Sequence, residues 1–282
     1  MSYKLTEKHP NKRAFITGGG GGLGRALSLA LAKDGWAIGI TDIKEDALAE
    51  SKKLIEDAGG KAYTYQFDVS KKDDYKKAFD SYISSVGGLD VLINNAGVGD
   101  GGLFGEYDLE HWEWITGINQ MAVIYGSHFA TPILKKQRSG HIISIASAAG
   151  LANMPNMSMY NVTKSAVISL METLYAELYG AGINVSVVCP TFFRSNIMQY
   201  HRGDKDSKKI GETIINRAKY SPDEIAHYIL TQAGKNQFYI LHPWQAKMVY
   251  YLRRFIPNLF LKYKAKEFAR KDWVQKALSQ KF

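Results

Sequence analysis

A tyrosine and a lysine four positions apart, Tyr160 and Lys164, are the residues of this sequence best suited to acid–base work. They fall in a segment of helical periodicity, Ser158 to Tyr179, so the spacing puts both side chains on one helix face. A phenol that ionises near pH 10 is a poor base at neutrality, and a neighbouring ammonium favours its phenolate. One unit of pKa lowering corresponds to about 1.4 kcal/mol, so the pair predicts a tyrosine tuned downwards by its lysine. Ser147 stands thirteen residues before Tyr160, just after a strand-like run from His141 to Ile145. Its hydroxyl can donate a hydrogen bond to a reacting oxygen. Ser144 competes for that role but sits inside the run. A Tyr-x-x-x-Lys pair by itself is also an ordinary surface pair; its weight comes from its company.

That company begins with Thr17-Gly18-Gly19-Gly20-Gly21-Gly22-Leu23-Gly24, which joins a strand-like run (Arg13 to Thr17) to a helix-like one (Leu23 to Lys33). Glycines there allow a tight turn and let backbone approach a pyrophosphate, whose charge then sits at a helix N-terminus. Asp42 ends the second strand-like run, Trp36 to Thr41, eighteen residues beyond Gly24. A carboxylate at that place accepts hydrogen bonds from both adenosine ribose hydroxyls and repels a 2′-phosphate, which favours NAD over NADP. Lys44 is near enough to blunt the discrimination, and a helix N-cap is the bland role for Asp42.

The elements that must position these groups alternate. A helix-like segment from Glu45 to Asp57 is stopped by Gly59-Gly60, and strand-like runs follow at Tyr63 to Phe67, Val91 to Ile93, His141 to Ile145, Asn184 to Val188 and Phe238 to Leu241. Such alternation predicts an α/β, Rossmann-like, doubly wound parallel sheet with a C-terminal helical extension. Residues 1–242 read as the nucleotide-binding catalytic domain and 243–282 as the extension. An apolar share of 45% over 282 residues is ordinary for a globular protein with one sizeable core. The single cysteine, Cys189, excludes an internal disulfide framework and reads as a buried strand-end residue. The seven histidines show no ligand spacing, so no metal site is expected. The polar start and the lack of any long apolar run predict a cytoplasmic protein that does not span a membrane.

From about Lys12 to Leu241 the chain resembles the short-chain dehydrogenase/reductase family. Thr17, Gly18, Gly22 and Gly24 match its TGxxxGxG motif, with Leu23 inside it. Asp68-Val69 matches its Asp-Val pair, and Asn94-Asn95-Ala96-Gly97 its NNAG signature. The resemblance implies a sheet of about seven parallel strands and a homodimer or homotetramer built on helix pairing. It also implies adenine contacts at Asp68 and Val69, and cofactor contacts at Asn95, Ala96, Gly97, Tyr160, Lys164, Pro190 and Ser195. Ser147 keeps the spacing of the family's catalytic serine. Asn119 matches its structural and proton-relay asparagine, in a helix beginning near His111; helix-interior hydrogen bonding is the bland alternative. One departure stands out: after Pro190, Thr191 replaces the usual glycine, while Ser195 keeps a hydroxyl where the family has a carboxamide-binding threonine.

Two loops are expected to flank the reacting centre, one with Met154, Met157 and Met159, the other with Phe192, Phe193, Ile197, Met198 and Tyr200. Methionines and aromatics suit a bulky hydrophobic alcohol or carbonyl compound, with Met154, Met157, Phe192 and Met198 as substrate contacts. The resulting expectation is an NAD-dependent alcohol–carbonyl oxidoreductase. An NADPH-dependent carbonyl reductase and a nonenzymatic NAD-sensing scaffold are the alternatives. The segment from Lys247 to Phe282 carries ten Lys/Arg and two Asp/Glu, leaving only +1 on the rest. Its apolar stripe predicts two amphipathic helices meeting near Pro257, which either meet a membrane peripherally or cover a neighbouring subunit or the active-site mouth. No nucleic-acid-binding fold accompanies this basicity, so no nucleic-acid partner is expected.

Overall fold

The computed structural model describes residues 2–203 and 205–270. A short helix, α1 (Lys4–Lys8), precedes β1 (Arg13–Thr17), α2 (Gly22–Ala32), β2 (Ala37–Asp42), α3 (Glu45–Asp57), β3 (Lys61–Gln66), α4 (Lys72–Val86) and β4 (Val91–Asn94). The chain continues through α5 (Leu109–Thr116), a π-helical turn (Gly117–Met121), α6 (Ala122–Gln137), β5 (Gly140–Ile145), α7 (Ala148–Ala152), α8 (Ser158–Leu178) and β6 (Ile183–Pro190). It then forms α9 (Lys205–Asn216), α10 (Pro222–Ala233), β7 (Tyr239–His242), α11 (Trp244–Phe255) and α12 (Pro257–Phe268).

The seven strands form one parallel sheet in the order β3-β2-β1-β4-β5-β6-β7. Parallel strands need helical crossovers, and these cover both faces, so the central strands read as continuous apolar runs. Alternate side chains of β1 serve opposite layers. Ile16 packs with Leu27, Ile38, Ile40 and Ile229 on one face. Phe15 packs with Tyr75, Phe79, Tyr82 and Leu134 on the other. Burial of each such side chain stabilises by about 1.5–3 kcal/mol, and the two layers hold the strand ends rigidly.

Strand order reverses between β1 and β4, which opens a crevice at their carboxyl ends. Every motif read from the sequence lies along that edge: the glycine run after β1, Asp42 at the end of β2, Asn95 to Gly97 after β4, Ser147 after β5 and Pro190 at the end of β6. Strand limits differ from expectation by a residue or two. Helix α7 and the π-helical turn were not anticipated. Asn119 sits in that turn rather than in a regular helix. Met159, grouped with the loop methionines although it falls in the expected helical segment, lies inside α8 and is buried.

The extension breaks where expected, with Pro257 in the first turn of α12, a position where its missing N–H costs nothing. The rest of the predicted extension, 271–282, lies outside the described residues. No helix among the described residues is long and apolar enough to cross a membrane.

Candidate active site

The glycine run is tied down by backbone contacts. Thr17 Oγ1 accepts the amides of Asn95 (3.0 Å) and Ala96 (3.1 Å), and Asn95 Nδ2 donates to the Thr17 carbonyl at 2.9 Å. A Cβ on Gly24 would lie 2.0 Å from the Gly18 carbonyl oxygen, so only glycine admits this approach. Space over Gly22, at the start of α2, is open. Bare amides at the N-terminus of an eleven-residue helix, with room above them, fit the pyrophosphate of a dinucleotide.

Asp42 is held against this loop. Its Oδ2 accepts the Gly20 amide at 3.1 Å and its Oδ1 the Lys44 amide at 3.2 Å. Each oxygen keeps a further lone pair for a ribose hydroxyl. The N-cap of α3 is Lys44, so capping is not what holds Asp42 in place. Nearby cations are engaged elsewhere: Lys44 lies over the Tyr200 ring at 5.4 Å, and Arg25 binds the Gly20 carbonyl (2.6 Å) and Glu50 (2.7 Å). Asp68 accepts both the amide (2.9 Å) and the hydroxyl (2.8 Å) of Ser70, which fixes the Asp68-Val69 corner, and Val69 is buried.

Ser147, Tyr160 and Lys164 converge. Ser147 caps α7, its hydroxyl accepting the Ala149 amide at 3.0 Å, and it is close enough to Tyr160 for its hydroxyl to favour the phenolate. Tyr160 and Lys164 are both buried in α8, with the Lys164 Nζ 5.7 Å from the Tyr160 ring centroid. That Nζ donates to the Ile145 carbonyl at 2.9 Å, which anchors it to the end of β5.

One electrostatic expectation is overturned. Burial pushes the Tyr160 phenol up to about 12, with the Ser147 hydroxyl only partly opposing it. Burial also pushes Lys164 down to about 8. In the protein alone desolvation therefore outweighs the lowering that the Tyr–Lys spacing predicts. Cys189 behaves as expected of a core thiol: it is buried, and burial pushes it up to about 12.

Asn119 is buried with both ends of its amide in use. Its Oδ1 accepts the Val98 amide at 2.8 Å, and its Nδ2 donates to the Val98 carbonyl at 2.9 Å and towards Thr163 Oγ1 at 3.4 Å. A side chain on Gly97 would run into Asn119 Oδ1 (3.2 Å) and Lys164 Nζ (3.3 Å), so these two groups meet at the bare Gly97. π-Helical turns recur at functional sites. Ser144 is used inside the sheet, its hydroxyl accepting from Asn94 Nδ2 at 3.0 Å.

The segment after β6 folds back over the crevice. Thr191 donates its amide to the His242 carbonyl at 3.0 Å, so the residue in the usual glycine place extends the β6–β7 pairing. Ile197 accepts the Gly99 amide at 2.9 Å, and Met198 is seated over the bare Gly99 and Gly211. Ser195 lines a groove of about 330 Å³ with Asn196 and residues of α9. The amide of Asn196 comes nearest the glycine run, 3.9 Å from where a Gly21 side chain would begin. Of the expected substrate contacts, Met157 packs in the Tyr160 cluster, while Met154 and Phe192 are partly exposed to solvent.

Sequence reasoning missed two features here. An apolar wall around Tyr160 is built from Val98, Ile115 and Met159, with Tyr107, Trp112 and Trp114 packed on it. The density of aromatics between Tyr107 and Trp114 was the available signal. The other is a latch, with Asp100 wholly buried. Its Oδ1 accepts the amides of Gly101 (3.0 Å), Arg202 (3.3 Å) and Gly203 (2.6 Å), His201 Nδ1 lies 3.2 Å away, and His111 Nδ1 lies 3.6 Å from its other oxygen. Arg202 stacks on Trp114 at 4.2 Å, beside a cavity of about 240 Å³.

The fold and this constellation define a nucleotide-binding oxidoreductase. The short chain dehydrogenase family model matches residues 12–206, and the chain belongs to that family. The chain is similar to the crystal structure of a short chain dehydrogenase/reductase from Burkholderia phymatum in complex with NAD. The two are 31% identical with a TM-score of 0.83, covering 89% of this chain and 95% of that one. It is 31% identical over 236 residues to the 3-oxoacyl-[acyl-carrier-protein] reductase FabG of Staphylococcus epidermidis, covering 79% of this chain and 96% of that one. It is 30% identical over 233 residues to the probable oxidoreductase EphD of Mycobacterium tuberculosis, covering 79% of this chain but only 39% of that longer protein.

Proposed function

We propose that this protein interconverts a hydrophobic secondary alcohol and its ketone with NAD(H), with Tyr160 as the acid–base group. The observation that carries the reading is the buried Tyr160, close enough to Ser147 to be influenced by its hydroxyl and packed within an apolar cluster bordered by aromatic side chains. Such a cluster favours an apolar substrate whose only polar atom is the reacting oxygen.

The glycine run, Asp42, Asp68-Val69, Asn95 to Gly97, Pro190 and Ser195 would hold the dinucleotide, with Asn196 as an added contact. The bound nicotinamide accepts a hydride in oxidation and donates one in reduction. Tyr160 takes the carbinol proton in one direction and gives it back to the carbonyl oxygen in the other. Ser147 donates a hydrogen bond to that oxygen, orienting it. Lys164, tied to the Ile145 carbonyl near the Tyr160 ring, would hold the nicotinamide ribose and favour the Tyr160 phenolate. Asn119 positions the Val98 backbone and, through it, the floor of the site. The latch at Asp100 keeps water out by holding the segment over the crevice.

NAD is the cofactor this reading requires, because Asp42 offers a carboxylate at the ribose and both neighbouring cations are engaged. Wild-type kcat/KM is expected to favour NAD over NADP, and Asp42→Ala to narrow the gap by about tenfold, or about 1.4 kcal/mol. A screen of hydrophobic secondary alcohols with each cofactor, following reduced nicotinamide absorbance, is the test; a preference for NADP contradicts it.

Beyond the catalytic domain, we read residues 243–282 as an extension that meets an anionic membrane surface from the cytoplasm, on a homodimer or homotetramer. Trp244, Met248, Tyr251 and Phe255 form one exposed stripe on α11, Leu259 and Tyr263 continue exposed on α12, and basic residues are interleaved with both. Lysines and arginines contribute about 1 kcal/mol each near such a surface.

A further inference from the structure

Two cations of the extension reach back to the catalytic domain, Arg253 from an exposed position and Lys264 from a buried one. Arg253 Nη1 donates to the Leu151 carbonyl at 2.5 Å and to the Gly150 carbonyl at 3.4 Å. Lys264 is buried, and its Nζ donates to the Ala152 carbonyl and, at 2.8 Å, to the Asn153 carbonyl. Asn153 Oδ1 accepts from both terminal nitrogens of Arg253, at 2.8 and 3.1 Å. These carbonyls are those a helix leaves without partners at its C-terminal end, where its dipole also favours positive charge. The helix so gripped is α7, and its first residue boundary is Ser147.

Helix α7 is short, and its other flank rests on the Tyr160–Lys164 helix. A Cβ on Gly150 would lie 2.7 Å from the Lys164 carbonyl carbon and 2.9 Å from the Ser165 amide nitrogen, so the two backbones touch where the lysine sits. Ser165 adds a hydrogen bond to the Gly150 carbonyl at 2.8 Å. A five-residue helix has too few internal hydrogen bonds to hold itself. We infer that Arg253 and Lys264 are positioning residues for catalysis: they clamp the C-terminal end of α7 against α8 and thereby set the distance between Ser147 and Tyr160. The exposed basic residues of α12 take no part in this. A tail that leaves its seat loosens Ser147 without touching the cofactor loop, which lies on the opposite side of the sheet's switch point.

This inference rests on the reading of Ser147 as the donor to the reacting oxygen, and the experiment separates the two. Arg253→Met and Lys264→Met keep the apolar stems and remove the grip; Arg253→Lys and Lys264→Arg restore a cation; Lys262→Ala removes an exposed cation of the same helix. Amide hydrogen exchange of the 147–154 segment is measured beside kcat, KM and NADH binding, with a hydrophobic ketone that the wild type reduces. Exchange in that segment is expected to rise about tenfold in the Met variants. Turnover should fall at least fivefold, NADH binding should stay within twofold, and the conservative variants should recover most of the loss. Lys262→Ala should match wild type. Should Lys264→Met fail to fold, Arg253→Met carries the same readouts, since its carbonyl contacts are separate. Wild-type exchange and turnover in the Met variants would overturn the clamp, as would a loss of turnover with unchanged exchange. Ser147→Ala is measured alongside: full turnover there removes the role of Ser147 and the positioning role with it. Loss of turnover there, with intact Met variants, removes the clamp alone.

Discussion

The two walls of the crevice are made in different ways. On one side the glycine run is fixed where backbone meets backbone, Gly24 against the Gly18 carbonyl, and by two short side chains, Thr17 and Asn95, bonded to main-chain groups. On the other side the segment after β6 is held by a few backbone bonds, such as the Gly99 amide to the Ile197 carbonyl, and largely by side chains, with Met198 seated over glycines and Asp100 gathering amides from residues a hundred positions away. Backbone against backbone leaves no room for adjustment. A methionine has three rotatable bonds and repacks. The difference implies that the cofactor wall is a rigid template while the substrate wall adapts and opens.

Substitutions on each wall sharpen the contrast. Gly24→Ala forces backbone apart in a packed turn, a disturbance of about 1–3 kcal/mol. NADH affinity, read by fluorescence titration, is expected to fall about tenfold to a hundredfold. Wild-type binding in that variant would erase the distinction between the walls. Asp100→Ala takes the acceptor from three amides, each worth about 1–3 kcal/mol if left buried, but opening of the segment relieves them. KM for the carbonyl substrate is expected to rise about tenfold by steady-state kinetics, with NADH binding little changed. An equal loss of NADH affinity would place the latch on the cofactor wall instead. Met198→Leu conserves volume in an adaptable seat, so KM should stay within about threefold. A larger change would mean that the seat is as exacting as the glycine turn.

The same contrast explains what was legible in the sequence. Thr17 to Gly24, Ser147, Tyr160 and Lys164 could be read because their geometry follows from local spacing: a turn between strand and helix, a four-residue step on one helix face. Asp42 and Asn95 were readable because parallel strands of similar length bring their carboxyl ends to one edge. The latch was not readable, since nothing local links Asp100 to His201 or His111. Nor was the grip of Arg253 and Lys264 on α7, which depends on where two helices after the last strand come to rest. Basicity drew attention to the extension as a whole, but which cations turn inward is decided by packing. The pKa of Tyr160 was misjudged for a related reason: spacing reveals the neighbouring charge, while burial, the larger effect here, is a property of the assembled core.

That pKa makes the role of Tyr160 measurable. With the phenol pushed up to about 12, its basic fraction grows about tenfold per pH unit through neutrality, so kcat/KM for alcohol oxidation should climb with pH. The most direct test is Tyr160→Phe, which keeps the ring in the apolar wall and removes only the group that exchanges the proton. Turnover is expected to fall by about 10²–10⁴-fold in both directions, with the pH dependence of any residual rate flattened. NADH should still bind within twofold of wild type. Turnover within tenfold of wild type, still climbing with pH, would contradict the assignment of Tyr160 as the acid–base group.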